Sequence, residues 1–107
     1  MATFTFECRG HTMYNRKKVL DSYLASIQID ANTSRLRLVP EPHNAYDANA
    51  IKIMSHGEVF GHIGYVGREY TATVKAIITN HTSYEVRMID PKPSTSHRSI
   101  LLELTYI

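Results

Sequence analysis

The residues best equipped for chemistry crowd into one short stretch: His43, Asn44, Tyr46, Asp47 and Asn49, with Lys52 just beyond it. An ionised carboxylate such as Asp47 offers only hydrogen-bond acceptors, whereas each asparagine amide both donates and accepts. Tyr46 adds a flat apolar face with a polar tip, a surface on which another ring can stack. The same residue types also build turns. Asp47 can close an Asx-turn onto the amides of Ala48 and Asn49, and Asn44 and Asn49 can brace their own backbone. The two roles of Asp47 are compatible. Tyr14, Tyr65 and Arg68 are the remaining candidates; a tyrosine within a strand, as Tyr65 is, equally serves half-buried packing. Arg68 stands at an expected helix start, where the dipole favours an anion. A cation there calls for a phosphate or for an acid such as Glu41. Lys52 either meets an anionic ligand or remains solvated.

Several chemistries are unsupported. The six histidines form no HxxxH unit, the single cysteine allows no CxxC, and a structural zinc site needs four ligands. No Ser/His/Asp constellation stands out. Asp47, His43 and Glu41 resemble a nuclease-like acidic cluster only superficially, because two-metal sites need several convergent carboxylates. The glycines make no GxxxxGK[ST] phosphate loop. The expectation is a chain with no metal, no cofactor and no catalysis of its own.

The elements that position these residues must come from 107 residues, enough for one domain over 1–107. No run of 18 apolar residues is present, so no membrane span is expected. The N-terminus lacks the basic and apolar regions of a secretory signal. Cys8, flanked by Glu7 and Arg9 in a strand-like run, reads as a buried structural thiol in a reducing cytoplasm. The net charge of +2 is mild, and Arg16, Lys17 and Lys18 form its one cluster. Seven tyrosines without a tryptophan suit base stacking or a wet interface.

Residues 3–9 alternate Phe4, Phe6 and Cys8 with Thr5, Glu7 and Arg9, the period of a half-buried strand. From Arg16, the residues Val19, Leu20, Tyr23, Leu24 and Ile27 recur at helical spacing, with Asn15 as a cap. Strands are expected over 35–39, 50–54, 59–66, 83–89 and 99–106, with a turn-rich loop over 40–49 and a hairpin over 55–58. Gly61 and Gly64 point to a bulge or a close backbone approach. A second helix is expected over 68–79, burying Tyr70, Val74, Ile77 and Ile78, and a polar loop over 91–97. Six strands and two helices in this order lack the regular βαβ alternation of a parallel sheet. A mainly β fold follows, as a small, strongly curved antiparallel sheet or barrel.

The run 38–53, LVPEPHNAYDANAIKI, resembles the central signature of the HIRAN family: a strand, Glu-Pro, an Asn-x-Tyr-Asp turn, then Asn-Ala-Ile entering the next strand. Ile63-Gly64-Tyr65-Val66-Gly67-Arg68-Glu69 resembles its second signature, a strand end leading into a helix at Arg-Glu. The resemblance implies an OB-like barrel of about six strands with two helices, found alone or attached to helicases and nucleases. It also implies a binding module for single-stranded DNA 3′ ends in repair or replication-fork processing, with DNA-processing proteins as further partners. On that reading Asp47 accepts a terminal 3′-hydroxyl and repels a 3′-phosphate. Tyr46, Tyr14 and Tyr65 present rings to bases, while His43, Asn44, Asn49, Lys52 and Arg68 contact sugar, phosphate or base edges. Few ionic contacts imply a shallow salt dependence. The alternative is a protein-interaction or oligomerisation module that keeps the barrel without the nucleotide grip, using exposed strand edges.

Overall fold

The computed structural model describes residues 2–9, 34–57, 61–81, 83–88 and 99–107, together with Arg16, Lys18, Val19 and Ser22. Alternation sets the faces of the strands. In β1 (Ala2–Arg9), Phe6 and Cys8 are fully buried while Thr5 faces solvent. In β2 (Ser34–Pro40), Leu36 and Leu38 point inward and Arg37 and Val39 outward. Strand β3 (Ile51–Gly57) buries Ile51, Ile53 and Ser55, and β4 (Gly61–Val66) buries Ile63 and Val66. Val86 of β5 (Tyr84–Met88) and Leu102 and Leu104 of β6 (Ser99–Tyr106) complete the inward set.

All neighbouring strands pair antiparallel, in the spatial order β2-β3-β4-β1-β6-β5. The outer strands β2 and β5 approach each other, so the sheet curls into a nearly closed barrel. The helix α1 (Thr71–Asn80) contributes Val74 and Ile77 to the same core, with Ile78 and Tyr70 packed at its margin. The mainly β, six-stranded architecture is the expected one. Of the first expected helix, Arg16, Lys18, Val19 and Ser22 are helical; its other positions, and the loop 91–97, lie outside the described residues.

Local details depart from the sequence expectation in three places. Strand β3 runs on to Gly57, through residues assigned to a hairpin, because Ser55 is buried and pairs with Gly61. The segment expected to start a helix at Arg68 first makes a 3-10 turn, Arg68–Tyr70, and the α-helix begins at Thr71. Gly67 is extended, and Thr71 Oγ1 donates to the Arg68 carbonyl at 2.9 Å, which holds the tighter turn. The register of β3 against β4 slips between Ile53 and Met54, whose partners are Gly64 and His62. Ile63 is thus the extra residue of a bulge, which bends β4 as its glycines suggested. Gly61 also answers to close approach: a Cβ there would sit 2.9 Å from the methyls of Val19.

Burial decides the chemistry of Cys8. Desolvation pushes its thiol up to about 12, outweighing the pull of the Arg16 charge. Because folding raises this value from about 9.0, the associated stabilisation is complete below about pH 9 and is lost as pH rises toward 12. The native protein is therefore expected to resist thiol alkylation at pH 8 and to react only after denaturation. Stoichiometric labelling of the folded chain within minutes would contradict the buried placement.

Candidate functional site

The connection from β2 to β3, residues 41–50, is a loop braced from within. The Glu41 amide donates to the Ala50 carbonyl at 2.9 Å and closes the loop at its base. Asn44 Oδ1 accepts from the amides of Tyr46 and Asp47 at 2.9 and 3.0 Å. Asp47 Oδ1 in turn accepts from the Asn49 amide at 2.9 Å, the Asx-turn its sequence position allowed. These bonds occupy the inward atoms and leave Tyr46 standing 94% exposed at the tip.

A second set of contacts gathers around Tyr65. Asn44 Nδ2 donates to Glu41 Oε1 at 3.2 Å, and the Tyr65 hydroxyl donates to the same carboxylate. Lys52 Nζ lies 3.4 Å from Glu41 Oε2. Burial pushes the Glu41 carboxyl up, but the bonds from Tyr65 and Asn44 and the Lys52 charge outweigh it and hold it below the ordinary value. Burial and the Glu41 hydrogen bond both push the Tyr65 phenol up. His62 meets the Tyr65 ring edge to face at 4.8 Å, and the Arg16 guanidinium lies 5.1 Å from its centroid. Burial pushes the His62 imidazole down, with Arg16 and Lys52 adding to it against the bond to the Gly64 carbonyl. His62 is accordingly neutral at neutral pH.

Asp47 and Arg68 link the two sets. Arg68 Nε stands 3.7 Å from Asp47 Oδ2, too long for a hydrogen bond, so that oxygen keeps its acceptor capacity. The acid facing Arg68 is therefore Asp47 and not Glu41, which is held by Lys52 and Tyr65 instead. Arg68 is 80% exposed and projects from the 3-10 turn. That turn is anchored to β1 through the Gly67 amide, which donates to the Glu7 carbonyl at 2.7 Å. Its position is tight: a Cβ on Gly67 would meet the Tyr70 ring at 3.0 Å.

The structure brings Asn44, Tyr46, Asp47, Asn49, Lys52, Tyr65 and Arg68 to one end of the barrel, around the loop 41–50, the start of β3, and the end of β4 with its 3-10 turn. His43 is there too, exposed in the turn and without a hydrogen bond among the described residues. Tyr14 lies outside the described residues. Three participants escaped the sequence reading: Glu41 as the hub of the hydrogen bonds, His62 against Tyr65, and Arg16 over the same ring. Glu41 was legible only as an acid beside a turn. The other two depend on the β4 bulge and on the approach of a distant helix, which local sequence does not encode. No group of three or more metal-binding side chains occurs among the described residues.

The model of the HIRAN domain matches residues 9–105. The chain belongs to the HIRAN domain family. The crystal structure of the HIRAN domain of human HLTF is similar to it, with a TM-score of 0.63 at 19% identity. That alignment covers 98% of this chain and 74% of the other. At such identity the likeness establishes the shared OB-like HIRAN barrel. No curated protein sequence matches the chain. In this HIRAN domain the two signature runs form the loop 41–50 and the end of β4 with its 3-10 turn. They meet through Asp47 and Arg68, and through Glu41 and Tyr65.

Proposed function

We propose that this HIRAN domain binds the 3′ end of single-stranded DNA and catalyses no reaction on it. HIRAN domains serve generally as DNA-binding modules, which supports the coarse reading. The observation that carries the finer one is Tyr46: a large aromatic side chain, 94% exposed, on a loop whose backbone is locked by Asn44 and Asp47. A rigid exposed ring is what base stacking needs, because the ordering is done before the ligand arrives. Asp47 Oδ2 receives the terminal hydroxyl, and Arg68 beside it meets the preceding phosphate. A 3′-phosphate would bring further negative charge toward a carboxylate and be rejected. Lys52 and Tyr65 flank the sugar and base. The buried free thiol of Cys8 fits a reducing compartment such as the cytoplasm, and capture of DNA ends fits repair or fork processing.

The test is a titration of labelled oligonucleotides ending in 3′-hydroxyl or 3′-phosphate at low salt. The wild type is expected to prefer the hydroxyl. Tyr46→Ala loses a stack worth roughly 1–3 kcal/mol, a weakening of about 5- to 150-fold. Asp47→Asn keeps the acceptor for the Asn49 amide but not the charge, so it levels the preference between the two ends. Equal wild-type affinity for both ends would refute the role of Asp47. No binding at all would refute the reading, and strand shortening on incubation would refute its non-catalytic part.

A further inference from the structure

The outward face of β2, β3 and β4 is a continuous surface beside this site. Register places Val39 opposite Lys52 and Lys52 opposite Tyr65, a row that crosses three strands at the level of the loop. A second row lies two residues further on, with Arg37 opposite Met54 and Met54 opposite His62. Arg37 is exposed and has no ion-pair partner among the described residues. Val39 is 39% exposed. Among the described outward positions of these three strands none is acidic. Glu41, which follows β2, is held by Lys52 and Tyr65. The face thus combines cations, an aromatic ring, an imidazole and apolar side chains.

We propose that this face carries the nucleotides behind the terminal one. It forms a track for single-stranded DNA that leaves the loop at Tyr65 and Lys52 and passes Met54 and His62 to Arg37. The inference rests on the end-binding reading and extends it. Two features argue for a nucleic-acid strand as the occupant. The charges at its described positions are of one sign, with no acid paired to Arg37 among the described residues, and its first row adjoins the loop that holds Tyr46 and Asp47. With strands about 4.8 Å apart and about 3.3 Å per residue along each, Arg37 lies roughly 12 Å from Tyr65. A chain end seated at the loop spans that distance within a few nucleotides. Arg37 meets a phosphate, and His62 and Met54 offer neutral surface to the bases between.

The experiment compares a dinucleotide with an octanucleotide, both ending in 3′-hydroxyl, by NMR titration and by affinity at several salt concentrations. Both ligands are expected to shift the amides of Tyr46, Asp47 and Tyr65. Only the octanucleotide is expected to shift those of Arg37 and Met54. Arg37→Gln should weaken the octanucleotide about threefold to tenfold and reduce its salt slope by about 0.7, the loss of one phosphate contact. It should leave the dinucleotide unchanged, and Arg37→Lys should retain most of the affinity. An octanucleotide that binds the wild type but is indifferent to Arg37→Gln overturns the track while the end site stands. A wild type that binds neither ligand overturns both.

Discussion

Replacing Asn44 with alanine is expected to reduce single-stranded DNA binding by about a thousandfold while leaving the barrel folded. The side chain holds the loop from both sides: Oδ1 accepts the amides of Tyr46 and Asp47, and Nδ2 donates to Glu41. Those amides lie near solvent, so water replaces the lost acceptor and the stability cost is only about 1 kcal/mol. The effect on binding is larger because it is entropic. Each residue released from a single backbone conformation must be ordered again by the ligand at about 1–2 kcal/mol. Residues 44–47 together then cost about 4 kcal/mol, which is close to a thousandfold in affinity. Calorimetric titration beside a thermal melt checks both halves. A variant that binds like the wild type would show that Asn44 does not organise the loop.

The largest loss of stability is expected from Phe6→Ala. Phe6 is fully buried in β1 and packs in the cluster that joins Ile53, Ile63, Leu102 and Leu104 across the barrel. Truncation removes most of a large apolar side chain and leaves a cavity that the surrounding core, with β1 held in register on β6, closes only in part. Such changes cost about 3–5 kcal/mol. Domains of this size have about 5–15 kcal/mol in total, so a large part of the population unfolds on modest heating. Urea denaturation gives the number directly. A loss below about 1 kcal/mol would mean that the inward face of β1 has been misassigned.

The contrast between these two residues shows what the sequence exposes. Phe6 is legible from period-two alternation alone, because burial on one face of a strand leaves that pattern in any sheet. The same logic recovers Leu36, Leu38, Ile51, Ile53, Leu102 and Leu104. Asn44, Tyr46 and Asp47 are legible as turn chemistry, and the Asx-turn at Asp47 is present as read. The carboxylate at the centre, Glu41, is not legible in its role. Its partners Lys52 and Tyr65 are brought to it by strand register, and a bulge at Ile63 resets that register. Arg68 shows the same limit. Its charge was evident, but the choice of Asp47 over Glu41 depends on a 3-10 turn held by Thr71. Local pattern names the participants; pairing across strands decides which of them touch.

The way β1 is shared between its neighbours has a mechanical consequence. All eight residues of β1 pair with β6, whereas among the described residues its pairing with β4 comprises Cys8 with Val66 and Arg9 with Tyr65. Among the described residues the ribbons β2-β3-β4 and β1-β6-β5 thus meet in a short clasp, reinforced by the Gly67 amide on the Glu7 carbonyl, and approach again where β2 nears β5. Among the described residues few backbone bonds join the two ribbons at that point, while many hold the strands within each. Tyr65 sits in the clasp itself. A molecule that leans on its ring presses on the hinge pin, and through it on the angle between the two halves of the barrel.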